Sequence, residues 1–569
     1  MLTRTAPIIA IAFVAFVVGI ITGAGSDSSG AQRFVDAWER GDTAAMYAEL
    51  TPGAREEYSQ EQFERAYSGA TQTATIDTLS AGDAEDGDSG DVQVVQMEFD
   101  THAFGQLGGT LELPTDDDGV EWGPHLVFPG LEKGETVTRR TRASDRAPIL
   151  ASDGTPLAEG PAAARSQPIS GASAVVGEVG APPVEQEREL AAQGFPPGSL
   201  TGNSGLELAF NDRLSGTPGG QLLAASQDEE SSLRGGRVLA SSEPQPGQPV
   251  RTTIDPELQQ AAVTALGSLY GGVAVLNARK GSVLALAGIA FSAPQPPGST
   301  FKVITTVAAL DAGMVKLSDT FPVETSNSDI GREIANSHDS PCGGTFAQAF
   351  ANSCNTVFAP LGAEVGGELL VETAEKFGFN SPPSLYDSET TAIVEPPPST
   401  IPTDISSSVE VGESAIGQGQ VLATPLELAT VSQTIAGGGV RKPTPITKVA
   451  DLQPDAEPVR VTSKETAATV RDLMIGVVQN GTGVAAALPN VQVAGKTGTA
   501  ELGPKALQPG QDPPEEGEEP EQELDAWFTA FAPAREPRLA IGVMIVNAAG
   551  DGGEIAAPIA AQVLSAGLG

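Results

Sequence analysis

The chain has 569 residues, more than a single hydrophobic core organises, so two to four domains are expected. With 40% hydrophobic residues, 66 Gly and 44 Pro, it is neither largely disordered nor collagen-like. A formal charge of −41 disfavours nonspecific binding to nucleic acid or an anionic membrane face, and reads as a solvated, self-repelling surface.

The N-terminus reads MLTRTAPIIAIAFVAFVVGIITGAG. Arg4 supplies a positive flank, and the uncharged run from Ala6 to Gly25 is long enough to cross a bilayer. That length favours an uncleaved anchor over residues 1–27. A cleaved signal peptide is the rival, since Gly23-Ala24-Gly25 offers small residues. No cysteine follows the run, so it is not a lipoprotein attachment site. Either reading puts the body of the protein outside the cytoplasm, where a disulfide is permitted.

Next, AQRFVDAWERGDTAAMYAEL spaces Phe34, Ala37, Trp38, Met46 and Leu50 for amphipathic helices broken at Gly41. DVQVVQMEFDTHAF alternates like a half-buried strand. These elements predict a small α+β domain over 28–138. From 139 to 245 the chain is rich in Gly, Ala, Pro and Ser and predicts an extended module of short strands and turns. At VRTTIDPELQQAAVTAL the pattern sharpens: Asp255 or Thr253 can cap a helix with Pro256 at its first position. GGVAVLNARKGSVLALAG then predicts two strands joined by a turn at Arg279-Lys280-Gly281. Strands and helices mix over 246–569, interrupted at 501–525 by an acidic, Pro- and Glu-rich stretch read as a solvated inserted loop.

The candidate chemistry begins at PPGSTFKV. Ser299 and Lys302 stand three apart, a spacing that puts them on one helical face where hydroxyl and amine could touch. Alone, the pair reads better as a helix cap beside a solvated lysine than as a nucleophile with its base. Two further pieces change that: NSCNTVF, with Ser353 and Asn355, and VAGKTGTAEL, with Lys496, Thr497, Gly498 and Thr499. His102, His125 and His338 are scattered, and no GxSxG accompanies them. A base other than histidine is therefore expected. These histidines and two cysteines without a CxxC pair offer no clustered metal ligands, so no metal or cofactor is expected. Cys354 lies inside the SCN triplet, with Cys342 upstream. A bridge bracing the Ser353–Asn355 turn and two buried thiols stand as equal readings.

The order SxxK, SxN, KTG resembles the serine transpeptidase domain of penicillin-binding proteins. TIDPELQQAAVTAL, VAVLNARKGSVLALAG, IGQGQVLATPLELA and DAWFTAFAP extend the resemblance over about 246–569. Upstream, GLELAFNDRLSGTPG resembles the dimerisation domain of class B penicillin-binding proteins. RAPILASDGTPLA is similar to that domain's opening, with Ala151 where the family has an acidic residue. The EWGPHLVFPGL region resembles the NTF2-like N-terminal domain of the methicillin-resistance type. No glycosyltransferase module accompanies these, which speaks against the bifunctional class.

The resemblance implies a multidomain α+β protein: an N-terminal transmembrane helix (1–27), an NTF2-like domain (28–138), a dimerisation domain (139–245), and a transpeptidase domain (246–569) whose antiparallel sheet is flanked by helices. It implies a peptidoglycan D,D-transpeptidase that works through a Ser299 acyl-enzyme and is acylated by β-lactams. Lys302 would be the base, Ser353 a proton relay, Asn355 a holder of Lys302 and of a substrate amide, and Lys496 a positive charge. Thr497 and Thr499 would grip a terminal carboxylate beside Gly498. The backbone N–H groups of Ser299 and Thr499 would form an oxyanion hole. Gln418, Gly419, Trp527 and Phe528 read as structural, with a helix starting at Thr424-Pro425. The implied partners are stem peptides on a lipid-linked precursor polymer, the membrane, and a glycosyltransferase or a second copy of the chain. Two rivals are a β-lactamase, for which no deacylating glutamate segment is found, and a non-catalytic penicillin sensor.

Overall fold

The computed structural model of the chain describes residues 29–169, 171–226, 236–387, 395–504 and 522–569. The anchor expected at 1–27 lies outside the described residues, as does most of the acidic stretch 501–525. Among the described residues no helix is long and apolar enough to cross a membrane. The chain divides into two compact units. The first takes residues up to Asp145 with 182–199 and 216–246, and the second takes 146–181, 200–215 and 247–569.

In the first unit, α1 (Gly30–Glu39) and α2 (Thr43–Ala48) are separated at Gly41, whose φ of +67° turns the chain. α3 (Pro52–Glu57) and α4 (Gln60–Ala74) follow, the latter opened by a Ser59–Gln62 capping box. β1 (Ile76–Ala81), β2 (Val92–Thr101) and β3 (Gly105–Asp116) pair antiparallel in that order. Along β2, Val95, Met97 and Phe99 are buried while Gln96, Glu98 and Asp100 are exposed, the alternation of a sheet with one wet face. Phe34, Trp38, Phe63 and Tyr67 of the helices pack with Phe99 and Trp122 over the other face, and Trp122 Nε1 donates to the Tyr67 hydroxyl (3.2 Å).

A second antiparallel sheet in this unit joins β4 (Glu135–Arg142), β5 (Gly219–Ser226) and β6 (Arg237–Ser242), with β5 central. Leu222 on β5 pairs with Arg139 on one side and Ala240 on the other. The 139–245 stretch is thus shared between the two units instead of forming a body of its own, and it includes a helix at Val184–Ala192.

The second unit carries the motifs. α5 (Pro256–Leu266) begins where Asp255 Oδ1 accepts from Glu257 N–H and Leu258 N–H, both at 3.0 Å. Thr253, the other candidate cap, donates instead to Val283 O. β7 (Gly271–Asn277), β8 (Val283–Gly288), β9 (Ala494–Pro504), β10 (Gln522–Ala532) and β11 (Leu539–Ile545) form one antiparallel sheet in the order β8-β7-β11-β10-β9. Among the helices that follow α5 are α6 (Lys302–Asp311), α7 (Phe346–Ala351), α8 (Asn355–Val365), α9 (Ser408–Ala415), α10 (Pro425–Ala436), α11 (Lys464–Asn480) and α12 (Ala557–Leu568), with a further helix at Gly367–Phe377.

The sheet is buried on both faces, which is why β11 reads as an unbroken apolar run. One face packs Phe528, Ile541 and Val543 against Leu258 of α5 and Val563 of α12. The other packs Trp527, Phe531 and Met544 toward Phe301 and Leu428. Among the described residues β9 is an edge strand of this sheet. Elsewhere in this unit, Glu207 is fully buried and accepts from Arg146 Nε and Arg165 Nε, each at 2.7 Å. Arg146 also donates to Asn211 Oδ1 (3.1 Å) and Glu207 O (3.0 Å), so the buried charges are both paired and hydrogen-bonded.

Candidate active site

Ser299 sits in a 3₁₀ turn, Gly298–Phe301, and α6 begins only at Lys302. Gly298 makes the corner at φ +52°, its N–H donating to Gly417 O (3.0 Å), and a Cβ there would stand 2.4 Å from Thr499 O. On the facing strand, a Cβ at Gly498 would stand 2.6 Å from Pro297 O and 3.0 Å from Thr300 N. The serine turn and the KTG strand therefore pack backbone to backbone, and only glycines permit it. This is a packing reason for Gly498, beside the room it leaves for substrate.

The sequence places the Ser299 hydroxyl and the Lys302 amine on one face. The fully buried Lys302 Nζ instead donates to Ser353 O (2.8 Å), Ser353 Oγ (3.3 Å) and Asn355 Oδ1 (2.7 Å). Three acceptors match the three donors of an ammonium, and loss of one proton leaves a lone pair able to take a proton from a hydroxyl. Ser353 lies between α7 and α8 at φ +62°, a conformation uncommon for a non-glycine residue, and worth noting at a candidate site. That corner sets its Oγ within reach of both lysines, since Lys496 Nζ donates to it at 2.9 Å. Cys354, the next residue, is joined to Cys342 by a disulfide with Cα atoms 5.4 Å apart. Asn355 uses both ends, accepting from Lys302 and donating from Nδ2 to Ala335 O (2.9 Å). One Nδ2 proton remains for another acceptor.

Lys496 is also fully buried and donates to Thr497 O (3.0 Å). The rings of Phe358 and Phe350 lie 5.5 and 5.8 Å from the Lys302 and Lys496 nitrogens. Burial pushes Lys302 well below the usual lysine range, and the neighbouring Lys496 charge pushes it further. Burial alone brings Lys496 down to about 7. Two amines that meet at one hydroxyl do not both stay charged, so the pair gives up a proton at far lower pH than isolated lysines.

Along β9, Thr497 Oγ1 shares a hydrogen bond with Thr482 Oγ1 (2.5 Å), and Thr499 Oγ1 accepts from Gly552 N–H (3.3 Å). Thr482, Gly417 and Gly552 are site neighbours that sequence reasoning missed. They lie far from the motifs in the chain, in NGTG, IGQGQ and DGGE segments that read locally as turns. Gln418 N–H donates to Glu413 O, and Thr424 Oγ1 accepts from Glu427 N–H at the start of α10. Trp527 and Phe528 are fully buried core residues. The His338 ring bonds Ser337, not a candidate nucleophile. Among the described residues no group of three His, Cys, Asp or Glu could hold a metal.

Residues 271–565 match the penicillin binding protein transpeptidase domain, 27–135 the NTF2-like N-terminal transpeptidase domain, and 143–252 the penicillin-binding protein dimerisation domain. A peptidoglycan D,D-transpeptidase, PbpA, of Mycolicibacterium smegmatis is 33% identical over 377 residues, which is 56% of this chain and 72% of the relative. The solved penicillin-binding protein A of Mycobacterium tuberculosis, in its penicillin G acyl-enzyme complex, aligns with a TM-score of 0.56 at 28% identity, covering 75% of this chain and all of that one. PBP2 of Pseudomonas aeruginosa shares the fold at a TM-score of 0.60 and 22% identity, covering 76% of this chain and 96% of that chain.

Proposed function

The chain belongs to the class B penicillin-binding proteins with an NTF2-like N-terminal domain, and we propose that it cross-links peptidoglycan stem peptides through an acyl-enzyme on Ser299. The observation that carries this reading is the pair of buried lysines meeting at Ser353 Oγ, one of them, Lys302, following the Gly298–Phe301 turn that holds Ser299. Such a pair keeps a neutral amine available at ordinary pH, which is what an alkaline, histidine-free base requires.

Neutral Lys302 takes the Ser299 proton as Oγ bonds to the carbonyl carbon of the penultimate D-Ala. The oxyanion that forms is held by the N–H groups of Ser299 and Thr499. Ser353, between the lysines, relays the proton to the departing amine, and the terminal D-Ala leaves as the ester forms. An amine from a neighbouring stem then attacks that ester, gives up a proton along the same path, and frees Ser299. Thr497 and Thr499 grip the terminal carboxylate near charged Lys496, and Asn355 offers its remaining N–H to a substrate amide. β-Lactams enter as mimics of the D-Ala-D-Ala end.

The catalytic unit works outside the cytoplasm, held at the membrane by residues 1–27. It acts on a lipid-linked polymer supplied by a glycosyltransferase partner, with pairing of two copies as the alternative role for residues 139–245. The apolar run of 1–27 supports the placement, together with the Cys342–Cys354 bridge.

Incubation of the full chain in detergent with a stem-peptide mimic ending in D-Ala-D-Ala and a D-amino acid acceptor tests the reading. Release of D-Ala with formation of the exchanged peptide is expected. Ser299→Ala abolishes both, and Lys302→Ala slows them by about 10²–10⁴-fold. Exchange that persists in Ser299→Ala overturns the reading.

A further inference from the structure

The KTG strand is also held by the turn that follows β11. Residues 546–552 of that turn are pinned at both ends: at the start Val546 N–H donates to Tyr270 O (2.9 Å) and Ala548 N–H to Leu524 O (2.7 Å). Between them Asn547, at φ +51°, donates its N–H to Asp525 Oδ1 (3.1 Å). At the far end Gly552 N–H reaches Thr499 Oγ1. Gly552 has no room for a side chain, since a Cβ would stand 2.2 Å from Gly498 O and 2.2 Å from Trp527 O. The turn therefore spans from Asp525 to Thr499, while β10 places Asp525 opposite Ala500, one residue beyond Thr499.

Asp525 is fully buried, and its second oxygen, Oδ2, has no hydrogen-bond partner among the described residues. A half-satisfied buried carboxyl detracts from stability, so a contribution to folding does not account for it. What it supplies is an acceptor for the N–H of Asn547, which rests in the left-handed region that asparagine adopts more readily than most residues. The bond to Asn547 fixes one end of the turn, and Gly552 N–H at its other end reaches Thr499 Oγ1. A hydroxyl that already accepts from a fixed N–H turns its own proton elsewhere, ready for an incoming anion.

We infer that Asp525 is a positioning residue: through Asn547 and the 546–552 turn it orients the Thr499 hydroxyl and so sets the grip on the substrate's terminal carboxylate. This rests on the Thr499 role proposed above. The test compares acylation of the full chain by benzylpenicillin and by its carboxyl methyl ester, which lacks the anion. Asp525→Leu should lower the acid-to-ester rate ratio by about tenfold through the acid alone, a loss typical of one charge-assisted hydrogen bond. Asp525→Asn, which keeps an acceptor for Asn547, should restore the ratio. Asp525→Ala removes the acceptor with less bulk and serves if the leucine variant does not fold. Thr499→Val should lower the ratio by itself, and adding Asp525→Leu to it should lower it no further. Equal losses with acid and ester would overturn the inference and leave Asp525 as a merely structural residue. A ratio that falls in Thr499→Val but holds in both Asp525→Leu and Asp525→Ala would overturn the inference alone. A ratio unmoved in Thr499→Val would remove the Thr499 role and the inference with it.

Discussion

At the scale of single residues, the site is governed by the cost of burying two ammonium groups against one hydroxyl. Desolvation lowers both amines, and the Lys496 charge lowers Lys302 further, so the neutral form gains. The unfolded chain holds the Lys496 proton up to 10.5, while the folded chain releases it at about 7. Between those values the unfolded state binds more protons, so unfolding free energy rises with pH across the window. Activity follows the same pair. Acylation by penicillin should reach its plateau well below the pH at which an ordinary lysine deprotonates. Lys496→Ala removes a charge that depresses Lys302, so the ascending limb should move to higher pH. Acylation rates of both proteins from pH 5 to 10 check this, and a limb that stays in place or moves down contradicts it.

At the scale of elements, what the sequence made legible was local. Asp255-Pro256 announced α5, Gly41 separated α1 from α2, the alternation of β2 marked its wet face, and the three motifs fell on one site. What stayed hidden is contact between elements distant in the chain. The Thr482–Thr497 bond, the Gly417 carbonyl beneath Gly298 and the 546–552 turn join segments whose own composition says only that the chain bends. The Lys302–Asn355 bond is of the same kind: helical spacing points Lys302 at Ser299, but the left-handed corner at Ser353 brings stronger acceptors to it. The Arg146–Glu207–Arg165 network was likewise invisible, because three charged residues in a weakly patterned stretch look solvated. Glu207→Ala leaves two guanidinium groups buried without their carboxylate, and should destabilise the second unit by about 3–5 kcal/mol. Urea unfolding followed by tryptophan fluorescence measures it; a loss under 1 kcal/mol on the order of an exposed pair would show that the network is not buried in solution.

At the scale of the whole molecule, the chain combines an apolar N-terminal run, a first unit built as helices on a sheet, and a second unit whose edge strand forms one wall of the site. Its acidity fits a surface that repels itself and other polyanions, while the two charges that matter to chemistry are removed from that surface. The central claim is that Ser299 forms a lasting acyl-enzyme, and the most direct measurement is labelling of the detergent-solubilised full chain with a fluorescent penicillin, followed over hours beside Ser299→Ala. The account predicts a covalent adduct that persists in the native protein and is absent from the variant. An adduct that forms on Ser299 and clears within minutes would mark a β-lactamase instead, and an adduct of equal intensity on Ser299→Ala would contradict the assignment of the nucleophile.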